Sequence, residues 1–123
     1  MMFVDISPLD SLPVDRGVAA LVDGDVVAVF RLANGEVYAI DHVDPFTGMP
    51  VLARGIIGSV GGRPTVASPL HKQRFDLCSG RCLDDDSVTV RTWIATITDG
   101  IVRVAARPAM HAVPLRKAGS DVI

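Results

Sequence analysis

The chain has 123 residues, 49% hydrophobic and 21% charged, the make-up of one ordinary globular domain around a modest core. Twelve Lys and Arg against 14 Asp and Glu give a formal net charge of -2 with no basic stripe, which excludes nucleic acid as an expected partner. The start, Met1-Met2-Phe3-Val4-Asp5, lacks the basic and apolar regions of a signal peptide, and no apolar run approaches the ~20 residues of a membrane span, so a cytoplasmic, membrane-free protein is expected.

Periodicity along the chain is that of short strands broken by turn residues, with no amphipathic helix of three or more turns, and it predicts an all-β fold. Val18 to Val22 and Val26 to Leu32 flank Asp23-Gly24-Asp25, and Asn34-Gly35 turns the chain into Val37 to Ile40, which together read as a three-stranded meander. A loop containing Asp44-Pro45-Phe46 follows. Gly55 to Val60 and Thr65 to Ala67 then flank Gly61-Gly62-Arg63-Pro64, a hairpin that delivers Ser68 to its end. Gly58-x-x-Gly61-Gly62 is no dinucleotide fingerprint, because no helix follows it.

Phe75 to Leu77 continues past a second loop, Ser79-Gly80 turns the chain, and Asp84-Asp85-Asp86 reads as a solvated loop. Val88 to Thr98 leads through Asp99-Gly100 into Ile101 to Ala105. Strands at this spacing predict a small β barrel or sandwich with two loops at one end, occupying residues 1-105. Residues 106-123 read as a flexible or loosely packed tail, broken by Pro108, Pro114 and Gly119 and made basic by Arg107, Arg116 and Lys117 against Asp121.

The two loops carry the chemistry. A Rieske [2Fe–2S] cluster is held by two Cys and two His, the second pair in a C-P-x-H-G-x-x-F stretch. Ser68-Pro69-Leu70-His71-Lys72-Gln73-Arg74-Phe75 has that outline with Ser68 at the Cys position and His71 at the His position. In the first loop, Asp44 stands at the Cys position and Phe46 at the His position. Carboxylate and hydroxyl have replaced the soft thiolates that a cluster needs, so no metal is expected.

From about Gly17 to Ala105 the chain resembles the small subunit of NAD(P)H-dependent nitrite reductase, a cluster-less branch of the Rieske fold. Asp44-Pro45-Phe46 in the first loop and Ser68-Pro69-Leu70 with Gln73-Arg74-Phe75 in the second carry the resemblance. It implies a non-catalytic accessory subunit, with no cofactor of its own, that stabilises or completes a large subunit. That partner would reduce nitrite to ammonium with electrons from NADH or NADPH through FAD, a [4Fe–4S] cluster and sirohaem. Asp44, Phe46, Ser68 and His71 are then vestigial ligand positions.

With the cluster gone, Pro45 and Pro69 stiffen the loops, Phe46 and Leu70 are expected to fill the vacated space, and Ser68 to hydrogen-bond neighbouring backbone amides. Lys72, Gln73 and Arg74, with Pro45, Phe46 and His71, form a candidate partner-binding set, since Arg is enriched where interfaces carry their affinity. The rival reading makes Lys72 and Arg74 solvated charges, with Arg74 paired to Asp76 or Asp44.

Cys78 and Cys82 form a C-x3-C pair, which is neither a redox C-x-x-C nor a zinc motif without further ligands; one is expected in the core and the other beside a turn. His111 lies in the tail, whereas His42, Asp44 and His71 would be the raw material of a mononuclear metal site. Two other functional readings stay open. One is an electron-transfer ferredoxin with unusual ligands from His71, His42, Asp44, Cys78 or Cys82, and the other a binding module for a different oxidoreductase.

Overall fold

The computed structural model describes residues 2–109, which form ten strands in chain order: β1 (Phe3–Pro8), β2 (Arg16–Val22), β3 (Asp25–Arg31), β4 (Val37–Asp41), β5 (Ile56–Val60), β6 (Arg63–Ala67), β7 (Arg74–Asp76), β8 (Thr92–Trp93), β9 (Ala95–Thr98) and β10 (Ile101–Ala105). The helical content of the described residues is two single 3-10 turns, Leu9–Ser11 and Leu52–Arg54. Two-residue turns set the hairpins. Asp23 and Gly24 lie at φ 48° and 90°, the left-handed pair that a tight hairpin loop requires, and they join β2 to β3 in the register Val22 opposite Asp25. Gly61-Gly62 and Asp99-Gly100 do the same for β5–β6 and β9–β10.

Three antiparallel sheets result, ordered β1-β10-β9, β2-β3-β4-β8 and β5-β6-β7. The strand β3 explains how they stack. Its run Val27-Ala28-Val29-Phe30 is buried without a break, which alternating side-chain directions permit only if both faces of the sheet are covered. Val27 and Val29 join Val22, Ala39, Trp93, Val102 and Val104 in a core shared with the β1-β10-β9 sheet. Ala28 and Phe30 join Ile40, Leu52, Val66, Phe75 and Leu77 in a second core shared with β5-β6-β7.

Close approach in that second core depends on glycine. A Cβ on Gly17 would stand 2.6 Å from the Ala53 carbonyl oxygen, and one on Gly55 would stand 2.4 Å from that of Ala67. Their bare backbones let the Leu52–Arg54 turn lie against β2 and lead directly into β5.

The stretch Val88 to Thr98 serves three partners: Thr89 bridges Arg81, while Thr92–Trp93 and Ala95–Thr98 are strands of two different sheets. The three sheets are open and stack as a sandwich, one of the two arrangements that the strand spacing predicts. An additional strand, β1, pairs with β10 across a bulge between Asp5 and Ser7, and its partners lie almost a chain length away, where no local pattern announces them. At the far end, the Ala106 N–H donates to the Met2 carbonyl at 2.8 Å and the Ala109 N–H to that of Thr92 at 2.7 Å. The remaining tail reading, His111 included, lies outside the described residues.

Candidate functional site

The first loop springs from β4, and its root is clamped. Arg91 donates to Asp41 at 2.7 Å and to Asp25 at 3.2 Å, and its guanidinium lies 5.0 Å from the centre of the Trp93 ring. Next in sequence, His42 is buried, and its Nδ1 accepts the Ala53 N–H at 3.1 Å while its carbonyl accepts those of Val51 and Leu52 at 3.0 and 2.9 Å. An accepting Nδ1 requires the neutral ring. Burial, followed by the positive charge of Arg54, holds the His42 pKa below the ordinary histidine value.

Between those clips the loop closes on Asp44, which is wholly buried. Its N–H donates to the Met49 carbonyl at 2.8 Å, its own carbonyl accepts the Gly48 N–H at 2.7 Å, and Oδ1 accepts the Phe46 N–H at 2.8 Å. The second loop is closed by the Ser68 N–H donating to the Gln73 carbonyl at 2.9 Å and the Lys72 N–H donating to the Ser68 carbonyl at 3.0 Å. Ser68 is also buried. Its hydroxyl accepts the Leu70 N–H at 3.3 Å, as the sequence leads one to expect, and donates to Oδ2 of Asp44 at 2.6 Å.

That last bond joins the two positions which a Rieske protein gives to its cysteines. A cluster would link the loops through thiolate and iron; here a carboxylate and a hydroxyl link them directly, each already committed to local backbone donors. The residues therefore do not fit a [2Fe–2S] cluster: hard oxygen donors replace both sulfurs, and a phenyl ring replaces one imidazole. Among the described residues, no three His, Cys, Asp or Glu side chains converge as metal ligands. His42 spends its Nδ1 on Ala53, while His71 is exposed. Cys82 is buried in the second core, Cys78 is exposed, and neither forms a disulfide.

Phe46 and Leu70 cap this pair instead of filling a void. The Phe46 ring meets that of Phe75 at 6.3 Å between centroids and an angle of 49°, yet Phe46 and Leu70 remain 37% and 44% exposed. Around them Pro45, Pro69, His71 and Lys72 also face solvent. Lys72 adopts φ 63°, a left-handed conformation that is costly for a residue with a Cβ and falls where the Rieske motif has glycine. Gln73 is partly buried, and its Oε1 has no hydrogen-bond partner among the described residues.

Arg74 pairs with neither Asp76 nor Asp44. Its guanidinium binds Asp84 at 2.9 Å, and its backbone N–H donates to the same carboxylate at 2.8 Å, so the first residue of the acidic run is a tether. Hydrogen bonding from Arg74 holds the Asp84 carboxyl below its usual range. Asp76 belongs to Arg63 and to the N–H groups of Cys78 and Ser79. Burial pushes the Asp76 carboxyl up, but Arg63 and the two N–H donors together outweigh it and hold the pKa below normal.

Comparison with known proteins agrees with this geometry. The model of the Rieske-like [2Fe-2S] domain family matches residues 2–105. The nitrite reductase (NADH) small subunit of Escherichia coli (strain K12) is 41% identical over 101 residues, covering 81% of this chain and 94% of that protein. A stretch of the nitrite reductase [NAD(P)H] large subunit of Klebsiella oxytoca is 39% identical over 99 residues, 80% of this chain but 10% of that one. The crystal structure of an NADH-dependent nitrite reductase small subunit from Mycobacterium tuberculosis superposes with a TM-score of 0.84 at 45% identity, covering 89% of this chain and 97% of that one. With both loops built on oxygen donors and the family model matched over residues 2–105, the chain belongs to the small-subunit family of NAD(P)H-dependent nitrite reductase, a Rieske-like fold without the [2Fe–2S] ligands.

Proposed function

We propose that this chain is the accessory subunit of an assimilatory, cytoplasmic NAD(P)H-dependent nitrite reductase and that its two-loop end is the surface that meets the large subunit. FAD, a [4Fe–4S] cluster and sirohaem reside in that partner, where nitrite is reduced to ammonium; this chain contributes binding and not electron transfer. The observation that carries the reading is the Asp44–Ser68 hydrogen bond, which keeps both loops in a Rieske-like posture without a redox centre. Rigidity there has a use in recognition, because a surface ordered in advance loses less entropy on docking. Phe46, Leu70, Pro45 and Pro69 offer an apolar centre, and His71 and Lys72 offer donors at its rim. The Klebsiella oxytoca large subunit, which carries a similar stretch within its own chain, favours a direct association of the two parts.

The test is titration of the purified large subunit with this chain carrying alanine at Lys72, Gln73 and Arg74, and separately with His71→Ala. Melting curves are needed alongside, since Arg74 also tethers Asp84. Affinity about tenfold or more weaker with a retained cooperative melt is the expected outcome. Equal affinity would remove the loop end from the interface, and a wild-type chain that does not bind the large subunit would remove the subunit reading itself.

A further inference from the structure

We propose that the outer edge of β5 is a second contact with the large subunit, where an extended acidic segment of that subunit adds as a further strand; this rests on the pairing proposed above. In the β5-β6-β7 sheet, β5 pairs on one side only. The Gly61-Gly62 turn makes Val60 and Arg63 a hydrogen-bonded pair, so in alternation Ile57 and Ser59 aim their backbone groups away from β6. The residue opposite Ser59 is Pro64, which has no N–H to give, and the Pro64 carbonyl accepts from Leu77 on the other side. Among the described residues nothing bonds the outward groups of Ile57 and Ser59.

Free edges invite unwanted pairing, and proteins blunt them with charges, prolines, bulges or covering segments. The edge of β1 carries a bulge between Asp5 and Ser7 and ends in Pro8, and β7 is covered by the Phe75–Cys82 bridge. The sequence of β5, Ile-Ile-Gly-Ser-Val, has none of these, and Ile56 and Val60 are 68% and 42% exposed. Such an edge fits a strand-addition site, with main-chain bonds for affinity and alternate side chains for selectivity.

Charge selects the occupant. A groove of about 480 Å³ runs between the starts of β2 and β5, and Arg16 and Arg54 line it. Neither guanidinium has an ion pair or side-chain hydrogen bond among the described residues, whereas Asp15, in the same groove, accepts the Ala33 N–H at 3.0 Å. Carboxylates on an incoming strand would meet these two cations. The chain's own basic C-terminal segment repeats their charge, and a second copy of β5 brings no acid to them. Neither explains the arginines.

Titration of the large subunit against the full chain separates the possibilities. Ser59→Pro removes an outward N–H and, by fixing φ, needs a melting curve beside it, and Arg16→Glu with Arg54→Glu reverses the charge without touching the edge. Each is expected to weaken binding about tenfold while Ser59→Ala does not, and the Ile57 and Ser59 amides are expected to gain hydrogen-exchange protection in the wild-type complex. Wild-type affinity in the Arg16→Glu, Arg54→Glu chain, or no added protection, would overturn the proposal even if the loop-end variants bind weakly. A dimer of the free chain that Ser59→Pro abolishes would give the edge to a second copy and overturn it too. Loss of wild-type binding altogether would fell the subunit pairing, and this proposal with it.

Discussion

The two faces of β3 lead into differently built halves. On one face Val27 and Val29 look into a core made of apolar side chains from two sheets, with Trp93, Val102 and Val104 sealing it. On the other, Ala28 and Phe30 reach Phe75, whose ring meets Phe46, and beyond it the packing gives way to the buried pair Asp44 and Ser68. Apolar burial is non-directional and stabilises the base by area alone. The loop end is fixed by directed bonds, each of which becomes costly if one partner is lost. That contrast explains how a fold can shed a metal centre and keep its loops in place.

Trp93→Ala attacks the base. It leaves a large cavity between two sheets and removes the ring beneath Arg91, and is expected to cost about 3–5 kcal/mol in urea unfolding. Asp44→Ala attacks the other half, stranding the Ser68 hydroxyl and the Phe46 N–H, at about 2–3 kcal/mol. The sharper version is a double-mutant cycle with Ser68→Ala. A coupling of about 1 kcal/mol or more is expected, and strictly additive losses would mean that the two loops are held independently.

His42 supplies a smaller, pH-dependent effect at the root of the first loop. Its folded pKa is depressed, so its contribution is fully present above the unfolded value of about 6.5 and is lost as pH falls through the lower folded value. Urea midpoints should therefore decline on acidification. His42→Gln, which keeps an acceptor but has no proton to gain, should flatten that part of the profile; an unaltered profile would assign the acid sensitivity elsewhere.

The same contrast governs what the sequence reveals. Hairpins written in adjacent residues, Asp23-Gly24, Gly61-Gly62 and Asp99-Gly100, are legible because left-handed turns need particular side chains. The loop positions are legible by motif. Long-range pairing is not: β1 finds β10 across the whole domain, and Arg74 passes over the neighbouring Asp76 because Arg63 already holds it, taking Asp84 instead. The Asp44–Ser68 bond has a signal in the sequence, since an acceptor and a donor stand at two positions that one cluster would join. A vacated cluster site suggests burial of Phe46 and Leu70, but the polar pair beneath them already closes the space. His42 has the residue type of a ligand, and only the fold reveals that its nitrogen is occupied by Ala53.

The smallest change in the fold tests the docking claim most directly. Lys72 holds a left-handed backbone at φ 63°, so Lys72→Gly relieves strain and deletes the ammonium in one step. Thermal melting and titration with the large subunit, performed on the same preparation, read the two consequences separately. The account predicts a melting temperature equal to or a few degrees above wild type together with affinity weakened several-fold. A variant that is equally stable and binds as tightly as wild type would contradict it.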